Sequence, residues 1–130
     1  MNVENQTLDE IFSGWLTGRL AFRPCITYSD ELDMISVIVE DCSTTEEFIK
    51  GTHLSLLRRN HEEDGKKNYV GFEVWGAKEF STLCGLPTNG EIRVSDILIK
   101  MSEMDKLAMP AILDVAIPTL TDNHINIVHF

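Results

Sequence analysis

At 130 residues, with 43% hydrophobic and 25% charged side chains, the chain is long enough to bury one core without staples and is expected to form a single domain, 1–130. Its net charge of −10, from 11 basic and 21 acidic residues, repels phosphate backbones and anionic bilayers, so neither nucleic acid nor membrane is an expected partner. There is no apolar run of membrane-spanning length, no signal-peptide pattern in MNVENQTLDE and no CxxC among the three cysteines (Cys25, Cys42, Cys84), which together predict a soluble cytoplasmic protein whose thiols serve as small buried apolar residues.

Taken in chain order, Thr7-Leu8-Asp9-Glu10 has the form of a capping box, and Leu8, Ile11, Phe12, Trp15, Leu16 and Leu20 then recur at helical spacing. An amphipathic helix over Leu8–Leu20 is predicted, with Gly14 and Gly18 on it favouring close packing. Pro24 interrupts, Cys25–Tyr28 reads as a short strand, and Ser29-Asp30-Glu31 as a turn. Asp33–Val39 (DMISVIV) alternates Ile35, Val37 and Val39 against Met34, Ser36 and Ile38, the pattern of a strand near the middle of a sheet. Ser43-Thr44-Thr45-Glu46-Glu47 is expected to open a capped helical turn that Gly51 ends. His53–Arg59 and Tyr69–Trp75 are predicted as paired strands, the second with Val70, Phe72 and Val74 on one face.

Beyond Ala77 the period lengthens. Lys78–Cys84 is expected to make one or two helical turns, and Thr88-Asn89-Gly90 a turn. Ser95 is read as the cap of a helix that puts Ile97, Leu98, Met101, Met104, Leu107 and Ala108 on one side. Pro110 suits the first turn of another helix, running to Ile117 and stopped by Pro118. His124–Phe130 (HINIVHF) is predicted as a terminal strand. The fold class is therefore α+β: an N-terminal helix, an antiparallel β-meander, C-terminal helices and a last strand.

Acidic residues are unevenly placed. From Pro24 to Ile49 there is no Lys or Arg, while Asp30, Glu31, Asp33, Glu40, Asp41, Glu46 and Glu47 all fall there. At about 3.3 Å per residue the intervening strand holds its two flanking clusters roughly 20 Å apart, giving two patches instead of one. The opposite pattern, a mixed cluster, lies at Arg58–Lys67. Asp64-Gly65 accepts the positive φ angles of a tight turn, so Asn60–Lys67 reads as the wet tip of a hairpin, with Glu62 and Glu63 near Lys66 and Lys67. His61-Glu62-Glu63 lacks the second His of a zinc helix.

Two segments carry a resemblance. Tyr28–Val37 (YSDELDMISV) and Asp64-Gly65-Lys66 with Val70–Lys78 (VGFEVWGAK) resemble the opening Y-D-x-x-x-D-x-L-Y-I and closing V-G-I-E-I-L-x-A patterns of a family of small uncharacterised bacterial β-sheet proteins. The resemblance spans Ile26–Phe80 and implies a topology: an early hairpin, then a last strand leading into a short helix. Ser29 stands where the family has Asp, and Ser36 where it has an aromatic residue.

The sequence holds no phosphate-cradling glycine loop or nucleophile signature, and neither a metal nor a cofactor is expected. His124 and His129, five apart, fall on opposite faces of a strand. Tyr69 and Trp75, flanking Gly71, are a candidate aromatic shelf for a ligand. The function these features favour is non-enzymatic: an acidic protein-binding module, of inhibitor or immunity type, that masks a basic partner. Its carboxylates from Asp30 to Glu47 would speed encounter, and an aromatic such as Trp75 would hold the complex. Two alternatives remain open: a small-ligand binder or enzyme with a pocket between sheet and C-terminal helices, and a scaffold that self-associates through the edge strand Ile125–Val128.

Overall fold

A computed structural model describes residues 22–130; the helix expected over Leu8–Leu20 lies outside the described residues. The chain from Cys25 to Trp75 forms an antiparallel sheet: β1 (Cys25–Ser29), β2 (Met34–Ile38), β3 (Thr44–Phe48), β4 (Leu54–Arg59) and β5 (Tyr69–Trp75), in the spatial order β1-β2-β5-β4-β3. Alternation decides which side chains face the core. Ile35 and Val37 of β2, Leu54 and Leu56 of β4, and Phe72 and Val74 of β5 share one face, and all are buried.

That face is covered by α1 (Ala77–Leu83), α2 (Val94–Met104), a helical run made of α3 (Met109–Ala111), a π-helical turn (Ile112–Ala116) and α4 (Ile117–Asp122), and a small second sheet. Ala77, Phe80, Ile97, Leu98, Met101, Ile112, Ala116 and Leu120 complete the core. The second sheet pairs β6 (Glu91–Arg93) with β7 (Ile127–His129) and contributes Ile92 and Val128. The architecture is thus α+β. Among the described residues, no helix is long and apolar enough to cross a membrane.

The structure departs from the sequence reading at several points. Thr44–Phe48 is a strand instead of a helical turn: its β-branched threonines and Phe48 suit an extended edge, and five register pairs tie it to β4. The expected stop at Pro118 does not occur. A proline ring clashes with the carbonyl four residues back and offers no N–H, and the π-helical turn just before it widens the helix so that the run continues to Asp122. Helix α2 ends at Met104, leaving Met104 and Leu107 exposed. Ser95 is not its cap. Asn126 does that work from the β7 side, accepting the amide of Ser95 on Oδ1 (2.8 Å) and that of Val94 on its carbonyl (2.8 Å).

The terminal strand is shorter than predicted, and Ile125 lies outside it. Its partner β6 was not anticipated. Phe130 instead packs its ring on Tyr28 of β1, with centroids 4.7 Å apart. The cysteines are free, but none is buried: Cys25 is exposed, and Cys42 and Cys84 are half-buried.

One glycine shapes the sheet. A Cβ on Gly71 would sit 2.1 Å from the carbonyl oxygen of Val37 and 3.2 Å from Cδ1 of Leu57, so only glycine lets β5 lie this close to β2. Just beyond it the β4–β5 register slips: Leu57 faces Gly71, but Arg58 faces Tyr69. This bulge turns Tyr69 towards the helices, where it packs on the core, while Trp75 donates its indole N–H to Ser55 Oγ (2.9 Å). The two aromatics therefore do not make a shared shelf.

Candidate functional site: an acidic and aromatic sheet edge

The seven acids from Asp30 to Glu47 divide into those the fold consumes and those it leaves open. Asp33 is consumed. It takes a positive φ (48°) after β1, and its carboxylate accepts the amides of Lys78 (2.7 Å) and Glu79 (3.1 Å) at the start of α1 as well as the Tyr28 hydroxyl (2.6 Å). It is the N-terminal cap of α1, supplied from a different segment. Burial pushes the Asp33 carboxyl up, but the Tyr28, Lys78 and Glu79 hydrogen bonds outweigh it and hold the group below its ordinary value. Burial and the same hydrogen bond push the Tyr28 phenol up.

Glu40 and Glu47 are also engaged. Arg59, buried in β4, places both terminal nitrogens on the Glu40 carboxylate, and Lys66 from the hairpin adds a third contact at 3.2 Å. The Arg59 hydrogen bond chiefly pulls the Glu40 carboxyl down to about 2. Glu47 accepts from Arg58 (3.2 Å) and from the Tyr69 hydroxyl (2.8 Å). The hairpin tip, Asn60–Lys67, is exposed, as its composition predicts, and Glu63 pairs with Lys66 (3.0 Å) as expected, but Glu62 pairs with Arg58 and Lys67 reaches Asp122 at the end of α4. The tip is held down on one side by a buried arginine.

Asp30, Glu31, Asp41 and Glu46 are exposed and make no ion pair among the described residues. Strand register separates them. Asp30 and Glu31 sit in the β1–β2 turn, while Asp41 and Glu46 lie beside and on β3 at the far edge of the sheet. The expected two patches are therefore two ends of the sheet.

The β3 patch has features the other lacks. Phe48 is 55% exposed and faces Ser55, the residue that Trp75 caps, so two aromatics flank one serine on the sheet face opposite the helices. Glu73 of β5 lies in register between Ser36 and Ser55, with Ser36 Oγ 3.4 Å from its carboxylate. Burial, reinforced by the nearby charge and hydrogen bond of Glu46, pushes the Glu73 carboxyl up. Two carboxylates that crowd each other beside aromatic rings form a place where an incoming cation gains from both. Sequence reasoning missed Phe48 and Glu73. The alternation in TTEEF and in YVGFEVW carried the signal, because it puts Glu46, Phe48, Glu73 and Trp75 on one face once both segments are read as strands.

Grooves occur elsewhere. Tyr69 lines two of them, about 260 and 350 Å³, where the hairpin meets the helical run; the first is walled by Val115, Pro118 and Thr119, the second by Glu40, Lys66 and Asp122. A third, about 430 Å³, lies between α4 and β7 at His124 and Asn126. Compared with known proteins, the chain matches no family model, no curated protein and no solved structure.

Proposed function

We propose that the protein acts by binding another protein, and that it takes a basic, extended segment of that partner along the β3 edge. The observation that carries this reading is the edge itself: among the described residues β3 pairs only with β4, and its outer side carries Asp41, Glu46 and the exposed Phe48 beside the crowded Glu46–Glu73 carboxylates. Open backbone groups supply affinity by strand addition, while alternate side chains of the incoming segment meet the acids and the aromatics. Lys or Arg at such a position relieves the repulsion between Glu46 and Glu73 and stacks near Trp75 or Phe48. Masking of a basic surface by an inhibitor or immunity-type module is the specific form this takes. Asp30 and Glu31, at the far end of the sheet, add to encounter through the net field without touching the segment.

The test compares native bait with a D41K/E46K/F48A bait in capture from lysate, at low and moderate salt. The reading requires a basic protein that native bait captures, the variant loses, and salt releases. Identical catches from both baits would end it. A second reading, a small-ligand site between sheet and helices, draws on the grooves at Tyr69; thermal stabilisation by a small molecule, insensitive to salt, would support it instead.

A further inference from the structure

The hydrogen-bond parity of β3 decides which of its backbone groups stay open. Just before the strand, Ser43 accepts the amide of Asn60 (3.0 Å); just after it, Ile49 donates its amide to Leu54 (2.9 Å). Bonded and unbonded pairs alternate along an antiparallel ladder. Thr45 and Glu47, opposite Arg58 and Leu56, fall on the same parity as Ser43 and Ile49, so they turn their amides and carbonyls towards β4. Thr44, Glu46 and Phe48 turn theirs to the outer edge, which no described strand covers. The same three residues share a side-chain face, because side chains alternate along a strand. On that face Phe48 is 55% exposed, and Glu46 is exposed and makes no ion pair among the described residues. The other face is already engaged: Glu47 holds Arg58 and accepts the Tyr69 hydroxyl.

We infer that β3 selects its partner by register: an antiparallel extended segment with Lys or Arg facing Glu46, an aromatic or apolar residue two places before it facing Phe48, and a β-branched residue two places after it facing Thr44. Bonded antiparallel pairs set opposite residues on the same face with Cα atoms about 5.5 Å apart, so the cation meets the Glu46 carboxylate directly. From there it also reaches diagonally over the Phe48 ring. The intervening residues of the segment face Thr45 and Glu47, where Arg58 offsets the charge, and no particular side chain is demanded of them. A second copy of this chain is a poor occupant, because antiparallel pairing of β3 with itself over its whole length sets Glu46 against Glu46. The inference rests on the partner-binding reading above and adds to it the sequence that the partner must carry.

The test uses the full chain and synthetic peptides. In the free protein the amides of Thr44, Glu46 and Phe48 should exchange with deuterium much faster than those of Thr45 and Glu47. Equal protection of all five shows an edge that is already paired and overturns the inference. A peptide carrying Phe-Thr-Arg-Thr-Val between Gly-Ser tails is expected to bind, read by fluorescence anisotropy, and to slow exchange at Thr44, Glu46 and Phe48. Replacing its Arg with Glu should weaken binding about tenfold, and E46K should recover binding of that Glu peptide. N-methylation of the Arg amide, which points at the Glu46 carbonyl, should weaken binding about tenfold, whereas N-methylation of the following Thr, whose amide points away from β3, should change it by less than about twofold. The scrambled peptide Phe-Arg-Thr-Val-Thr keeps the charge and composition and loses the register. Equal binding of the two peptides, or equal effects of the two methylations, reduces the contact to charge attraction and overturns the register rule; capture of a basic protein from lysate still decides the wider reading on its own. Failure of the first peptide to bind overturns the rule as well.

Discussion

Replacing Gly71 with alanine separates two roles a glycine can play in this sheet. The added Cβ would lie 2.1 Å from the Val37 carbonyl oxygen, against an ordinary C···O contact of about 3.3 Å, so β5 and β2 must part by about 1 Å. Both strands are interior to the sheet, and backbone cannot rotate away as a side chain can. Overpacking a close-fitted interior costs about 1–3 kcal/mol, and weakening one inter-strand hydrogen bond adds about 1 kcal/mol, for a total of about 3 kcal/mol. At about 4 °C per kcal/mol for a domain of this size, the melting midpoint should fall by about 12 °C. Gly65 is the control: its φ of 77° strains an alanine, but nothing lies within 4 Å of the new Cβ, so the expected cost is only about 1 kcal/mol. Thermal melts of G71A and G65A followed by circular dichroism measure the contrast. A G71A midpoint within about 2 °C of the parent, or a larger loss in G65A, would refute the reasoning from close approach.

Removing the cap of α1 with D33A should cost about 1–2 kcal/mol, read by denaturant unfolding, and leave capture of a basic partner unchanged, because that carboxylate faces inward. For Glu40 the folded carboxyl sits at about 2 instead of its ordinary 4.5, so its contribution is present above about pH 4.5 and is lost as the pH falls towards 2; E40Q should therefore lower the melting midpoint at pH 7 and converge on the parent near pH 2. Glu73 has the opposite sign. Its carboxyl is raised, so the ionised form costs stability at high pH, and E73Q should melt higher than the parent at pH 8 and match it at pH 4; a lower midpoint at pH 8 would contradict the crowding of Glu46 and Glu73.

Much of the fold could be read directly because it rests on short-range periodicity. DMISVIV and YVGFEVW alternate with period two, and the strands they form bury Ile35 and Val37, and Val70, Phe72 and Val74, while Val39 falls just outside β2 and is half-buried. Asp64-Gly65 turns because a local dipeptide tolerates positive φ. TTEEF failed because Ser-Thr-Thr-Glu-Glu satisfies helix-start rules locally as well as strand rules. Pairing with β4, a contact between segments, settled the matter.

What only the tertiary structure decided is the use made of each charge. Asp33, Glu40 and Asp41 look alike in the sequence, each an acid beside the same strand. One is the cap of a helix that begins 44 residues later, at Ala77; one neutralises a buried arginine from β4; one is open to solvent. The partners that separate them come from distant segments, and burial sets how strongly each pair couples. The β5 bulge that sends Tyr69 and Trp75 to different surroundings depends on the same long-range geometry. Composition fixes how much negative charge the chain carries; only packing fixes which carboxylates remain open to solvent, because a carboxylate's availability is a property of its neighbours in space.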